Sequence, residues 1–163
     1  MWMAESLKVT HYLNGDAIPN VKDEGQWELL ETGAYCNYDN SLSNGITYGR
    51  LYSWYAVNDS RKTAPKGWHV PSDVEWRTLT AYLGDDYIVG GRLKEKGLAH
   101  WKFPNHEATN ISGFNALPGG YRNFAGGFDY IFWGCGFWST SSLNDDATVL
   151  LLDYNISDFV KIM

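Results

Sequence analysis

The spacing of apolar residues predicts one well-defined helix near the middle of the chain, over about residues 73–83. Ser72 stands at the N-cap position and Glu75 follows three residues later, which is the signature of a capping box. Gly84 provides the stop signal. The apolar positions predict a buried stripe on this helix, formed by Val74, Leu79, Tyr82 and Leu83.

Weaker helical patterns flank this segment. Apolar side chains on one face predict a short helix within 51–57, and another helix is predicted over 86–96, although Gly90-Gly91 favours an interruption there. The polar stretch 39–45 is predicted as a loop.

Both ends of the chain show strand patterns. Residues 7–13 alternate and precede an Asn14-Gly15 turn, so residues 1–35 are predicted to be β-rich. Two strands are predicted at the other end, over 147–154 and 158–163. Glycines interleaved with aromatic residues over 119–136 exclude a continuous helix there. This order predicts the α+β class and a single domain spanning 1–163.

Composition narrows the range of partners. The chain has 163 residues, is 44% hydrophobic and carries a formal charge of −6 without a strong basic cluster, which disfavours a nucleic-acid partner. No apolar run approaches the roughly 20 residues that span a bilayer. The first residues lack a signal-peptide pattern, which leaves a cytoplasmic protein or a leader that is absent from this chain.

Candidate chemistry in the sequence is sparse. Common catalytic motifs of hydrolases, zinc proteases and nucleotide-binding enzymes are absent, so we expect no enzyme activity and no cofactor. Cys36 and Cys135 are too far apart for a local redox or zinc motif, and they permit either one long-range disulfide or two unrelated buried thiols. The acidic turn at Asn144-Asp145-Asp146 contains calcium-type ligands, although a solvated hairpin tip is the favoured interpretation.

Three blocks of sequence carry a family resemblance, at 49–57, 64–76 and 110–122. Together they resemble the Fibrobacter succinogenes major paralogous domain, a family that is abundant in Bacteroidetes and Fibrobacteres and often found in secreted or surface lipoproteins. More distantly they are similar to the formylglycine-generating-enzyme branch of the C-type lectin-like fold. The resemblance implies two main helices flanking small antiparallel β-sheets with long ordered loops, an extracytoplasmic location and no established catalytic role.

The chain also departs from the pattern of these families. Family members close with a further strand that carries a cysteine, and we expect that strand to be missing after Phe159. The cysteine pair of the formylglycine-generating enzymes has no counterpart, because Cys135 stands alone between two glycines. These departures disfavour the oxidoreductase alternative.

The sequence therefore predicts a non-catalytic binding or adhesion module, with a carbohydrate or protein ligand at the loop-rich half. Aromatic residues for stacking and polar residues for orientation form the predicted site: Tyr121, Arg122, Trp133, Trp138, Asn144 and Asp145. The alternatives are a structural or phage-type receptor-binding protein, assembled as an oligomer or larger surface assembly, and an oxidoreductase of the formylglycine-generating kind.

Overall fold

The computed structural model describes residues 1–84, 86–143 and 146–162. Its helices are α1 (Glu24–Glu28), α2 (Leu42–Tyr48), α3 (Trp54–Val57), α4 (Asp73–Leu83) and α5 (Asp86–Leu93). Its strands are β1 (Tyr35–Cys36), β2 (Leu51–Tyr52), β3 (Gly119–Arg122), β4 (Phe128–Ile131), β5 (Gly134–Leu143), β6 (Asp146–Asp153) and β7 (Val160–Ile162). This mixture of helices and sheet agrees with the α+β class.

Two sheets organise the fold. β1 and β2 form a small antiparallel pair, and the larger sheet has the strand order β4-β3-β5-β6-β7. We expected antiparallel sheets only, but β3 and β5 are parallel, with Gly120 opposite Cys135. The reason is that β4 turns back along the outer edge of β3, and the chain then returns on the other side of β3 as β5.

The central helix α4 is confirmed at its predicted bounds, together with its capping box. The Ser72 backbone N–H donates to Glu75 Oε2 at 2.9 Å, and His69 Nε2 lies 2.6 Å from Glu75 Oε1. These hydrogen bonds to Ser72 and His69 lower the pKa of Glu75 to about 2. The carboxylate therefore remains charged and able to cap the helix well into acid.

The predicted buried face of α4 is partly wrong. Val74 and Tyr82 are exposed, whereas Trp76, Thr80 and Leu83 are buried. The three buried positions follow the helical period. The predicted stripe was centred on the wrong side of the helix because it did not include Trp76. α4 thus presents its indole ring, not Val74, to the core.

Helix α5 ends at Leu93, before the predicted limit, and the Gly90-Gly91 pair does not interrupt it. A Cβ atom at Gly90 would lie 2.2 Å from the carbonyl oxygen of Asp158, and one at Gly91 would lie 2.5 Å from that of Glu107. The two glycines therefore permit close contact between this helix and neighbouring backbone. The core between α4, α5 and the larger sheet consists of Leu83, Val89, Leu93, Trp101, Ala116, Cys135 and Leu152.

The N-terminal region differs most from prediction. The strand predicted over 7–13 is wrong: only the single bridge between His11 and Ala17 forms on either side of the turn. Gly15 takes a φ of +95°, so the turn itself is present. Backbone hydrogen bonds from Tyr12 to Asp16 and from Ile18 to Thr10 flank the bridge. β1 is the only strand the structure describes within the first 35 residues.

Two further segments differ from their predictions. Within 51–57 only Trp54–Val57 is helical, because Leu51–Tyr52 pairs with β1 as a strand. The predicted loop at 39–45 contains the start of α2. Apart from Leu42, its sequence LSNGITY lacks the strong helix formers from which a helix is predicted.

We expect Ser72→Ala to lower the free energy of unfolding by about 0.5–2 kcal/mol, because the variant loses the side-chain cap of α4. Urea denaturation measures this effect directly. Thr78→Ala on the exposed face of the same helix is the matched control, and we expect it to change stability by less than about 0.5 kcal/mol. Equal denaturation midpoints for Ser72→Ala and the unmodified protein would contradict the capping role.

Candidate ligand-binding surfaces

A cavity of about 1300 Å³ lies between the N-terminal segment, α4 and the larger sheet. Three of the predicted site residues, Tyr121, Arg122 and Trp138, are among the residues that line it. Trp133 is not among them. The structure thus divides the predicted site between this cavity and a separate surface.

Arg122 makes extensive contacts within the protein. Its guanidinium carbon lies 4.4 Å from the ring centroid of Trp27 and 4.7 Å from that of Phe128. Its nitrogens donate to three backbone carbonyls: Nε to Gly126 at 2.7 Å, Nη1 to Val21 at 2.7 Å and Nη2 to Lys22 at 3.0 Å. Arg122 therefore joins the N-terminal region of the chain to β3.

Trp138 is likewise held by neighbouring residues. Its indole Nε1–H donates to the carbonyl oxygen of Tyr52 at 2.8 Å, and its ring lies 5.6 Å from that of Trp54. It is neither fully buried nor fully exposed. Through these contacts the side chain connects β5 to the small sheet and α3.

The second surface is a row of aromatic rings, which we call the aromatic strip: Tyr121, Tyr130, Trp133 and Tyr154. Successive ring centroids are separated by 6.0, 6.4 and 4.9 Å. Trp133 retains 39% of its accessible surface, and Tyr121 and Tyr130 are similarly exposed. Three of the four rings are therefore large apolar faces in contact with solvent, whereas Tyr154 is partly buried.

Backbone pairing builds the strip. The backbone N–H of Trp133 donates to the carbonyl of Tyr130 at 3.0 Å, which closes a tight turn between β4 and β5. The N–H of Tyr154 then donates to the carbonyl of Trp133 at 2.8 Å, which brings the end of β6 to that turn. The strip thus depends on contacts between residues that are distant in the sequence.

The turn holds two bulky residues in an uncommon conformation. Tyr130 has a φ of +75° and Phe132 a φ of +68°, in the left-handed region that costs non-glycine residues of order 1–3 kcal/mol. Such conformations cluster at functional sites. Here they set the direction of the exposed rings.

Polar groups border the strip. The Tyr130 hydroxyl donates a short hydrogen bond to Asp153, which raises the pKa of Tyr130 to about 12. Asn123 Nδ2 donates to Asp129 Oδ2 at 2.9 Å, and Lys102 Nζ lies 4.4 Å from the ring centroid of Trp133. The strip therefore combines stacking faces with carboxylate, amide and ammonium groups.

The structure offers no support for a metal site among the residues that it describes. Asn144 and Asp145, with the calcium-type turn that they were assigned to, lie outside the described residues. Within 1–84, 86–143 and 146–162, no three His, Cys, Asp or Glu side chains form a group that could hold a metal ion.

The two cysteines are separate buried thiols, so the disulfide alternative is wrong. Burial raises the pKa of Cys36 to about 11 and raises that of Cys135 still further. Because these raised pKa values keep both thiols protonated, and the reactive form is the thiolate, neither cysteine is a ready nucleophile.

Sequence reasoning omitted several residues around the strip from the predicted site, notably Tyr130, Tyr154, Lys102 and Asp153. The alternation of aromatic residues and glycines pointed to the neighbourhood of Tyr130. No local signal identified Tyr154, which lies 21 positions after Trp133 and reaches it only through strand pairing.

Comparison with known proteins identifies the family. Neither the curated proteins nor the solved structures give a match. Along the stretches of chain that the structure describes, no helix has the length and apolar character needed to cross a membrane. The model of the Fibrobacter succinogenes major domain matches residues 1–158, and the chain belongs to that family.

Proposed function

We propose that this chain is a non-catalytic binding module that recognises carbohydrate through the aromatic strip. The observation that carries the proposal is the row of rings from Tyr121 to Tyr154, of which Tyr121, Tyr130 and Trp133 are exposed. Exposed aromatic faces on a rigid sheet are costly to solvate, and they are a common basis of recognition.

Carbohydrate fits this surface better than a wholly apolar ligand. The C–H faces of a pyranose ring pack on aromatic side chains, and its hydroxyl groups require both donors and acceptors nearby. Lys102 supplies donors, whereas Asp129 and Asp153 supply acceptors, each already oriented by a neighbouring side chain. Orientation before binding reduces the entropic cost of recognition.

The absence of catalysis is part of the proposal. Cys135 is buried with a raised pKa, which disfavours a thiol-based oxidoreductase. Burial lowers the pKa of Lys94 to about 8, but its ammonium donates to the carbonyls of Asp153 and Ile156 at 2.8 and 2.7 Å. Both perturbed groups are buried, and neither belongs to the aromatic strip.

A lectin-like scaffold and an extracytoplasmic location complete the proposal. The sequence blocks at 49–57, 64–76 and 110–122 support both through their resemblance to surface proteins and, more distantly, to the C-type lectin-like fold. A surface location is also where a carbohydrate-binding module would meet its ligand.

Screening the purified chain on a glycan array, with and without calcium, tests the ligand class. We expect binding to a defined set of oligosaccharides, and we expect Trp133→Ala to weaken it by about ten-fold or more, as for a central aromatic contact. Tyr87→Ala is the matched control, because Tyr87 is an exposed aromatic residue on α5, outside the strip. We expect this control to bind like the unmodified protein.

Two outcomes would contradict the proposal. One is the absence of binding to any glycan at array density. The other is glycan binding that Trp133→Ala and Tyr130→Ala leave unchanged while both variants remain folded.

A further inference from the structure

The cavity next to α4 is unusually large and aromatic. Its volume of about 1300 Å³ exceeds the roughly 300–1,000 Å³ of ordinary small-molecule sites. Large apolar rings line it, among them Trp2, Trp76, Phe114, Phe137 and Trp138. Such a space suits a ligand with an extended apolar body.

The N-terminal segment forms one wall of this cavity. Residues 1–6 have no helix or strand, and Trp2 packs against Trp76 and Phe114 at centroid distances of 4.7 and 6.2 Å. At the end of this segment, the Arg50 backbone N–H donates to the carbonyl of Leu7 at 3.0 Å. Displacement of Trp2 would therefore open the cavity without breaking a sheet or a helix.

Arg50 supplies the cavity with an unusual charged group. Its guanidinium carbon lies 4.9 Å from the ring centroid of Tyr35. Its Nε is fully buried, so the two terminal amino groups, which also donate no hydrogen bond within the described residues, are the donors accessible to a ligand. Among the described residues, no carboxylate forms an ion pair with Arg50. A partly buried charged donor that lacks an acceptor inside the protein is costly, so a carboxylate of a ligand would be bound favourably by these amino groups.

Three other charged side chains around the cavity are satisfied within the protein. Glu5 is partnered by Lys8, Glu75 by Ser72 and His69, and Arg122 by backbone carbonyls. Charge complementarity therefore selects an anionic group beside Arg50.

We infer that this cavity binds an amphipathic carboxylate, with a long apolar chain among the aromatic rings and its acidic head at Arg50. The site is distinct from the aromatic strip, with which it shares only Tyr121 among the described lining residues. Lipids and free fatty acids both carry this chemistry, and the free acid is the simplest probe of it.

Fluorescence titration with cis-parinarate tests this inference on the full chain. We expect saturable binding of one molecule per chain, which palmitate displaces at least about ten-fold better than hexadecanol does, because only the acid offers a charged acceptor to Arg50. Hexadecyltrimethylammonium, with the same chain and a cationic head, should be the weakest competitor. This comparison requires no variant.

Two variants locate the acidic head. Arg50→Gln should abolish most of the preference for palmitate over hexadecanol, whereas Arg50→Lys should retain part of it, since lysine keeps the charge but not the planar guanidinium. Thermal denaturation verifies that both variants are folded. Trp133→Ala should leave parinarate binding unchanged, so that failure at this site and failure at the aromatic strip are distinguishable.

Either of two results would overturn the inference. The first is an absence of saturable parinarate binding, or equal displacement by the acid, the alcohol and the cation in the unmodified protein. The second is a folded Arg50→Gln variant whose preference for the acid is unchanged.

Discussion

Trp76→Ala is expected to lower the free energy of unfolding by about 3–5 kcal/mol, the cost of removing a large buried aromatic side chain. Trp76 is only 2% exposed, and its ring lies 5.8 Å from those of both Phe137 and Phe159. It thus connects α4 to β5 and to the end of the chain. Urea denaturation followed by circular dichroism measures the loss.

The matched control is Val74→Ala, because Val74 lies on the exposed side of the same helix. Its truncation is expected to change stability by less than about 0.5 kcal/mol. If Trp76→Ala unfolded cooperatively at the same midpoint as Val74→Ala, the core assignment of Trp76 would be wrong.

Arg122→Ala is expected to be the second most damaging substitution, with a loss of about 3 kcal/mol. Each hydrogen bond from a charged donor contributes about 1.5–3 kcal/mol, and three backbone carbonyls lose theirs together. Because Arg122 is only half-buried, water replaces much of this contribution and the net loss is smaller than the sum. The variant also loses two cation–π contacts, with Trp27 and Phe128. The midpoint of thermal or urea denaturation reports this effect.

Two comparisons make the Arg122 prediction specific. Arg122→Lys should recover little of the stability, because an ammonium group cannot reproduce the planar fork that reaches separate carbonyls. Arg77→Ala, which removes an arginine from the exposed face of α4, should be nearly neutral. A stable Arg122→Ala variant that had lost ligand binding would instead support the sequence-level hypothesis of a ligand contact.

Local signals account for what the sequence predicted well. The capping box at Ser72 and Glu75 determines the start of α4, and the Asn14-Gly15 turn is present where it was predicted. Each of these features depends on residues that are close in the sequence, so the local sequence suffices to predict them.

Features that depend on distant contacts were not predictable. Arg122 binds carbonyls of residues 100 and 101 positions earlier, and no local pattern separates this role from ligand binding. The strand predicted over 7–13 failed because alternation alone does not provide a pairing partner. The segment that follows the turn pairs with it at one bridge, between Ala17 and His11.

The aromatic strip combines features that the sequence predicted with features that depend on distant contacts. The sequence indicated that Tyr121 and Trp133 belong to a binding surface, because aromatic residues and glycines alternate between them. It did not reveal that β4, β5 and β6 bring Tyr130 and Tyr154 between and beside those rings. Gly126, with a φ of +90°, permits the turn before β4, but strand order decides which rings become neighbours.

The most direct test of the proposed binding surface follows the tryptophan indole N–H signals by NMR during titration with the oligosaccharide that binds best on the array. The account predicts a saturable shift of the Trp133 signal, identified by its absence from a Trp133→Phe spectrum, while the signals of the buried Trp76 and Trp101 remain in place. A saturable shift of Trp138 with an unchanged Trp133 signal would contradict it, because the ligand would then occupy the cavity and not the aromatic strip.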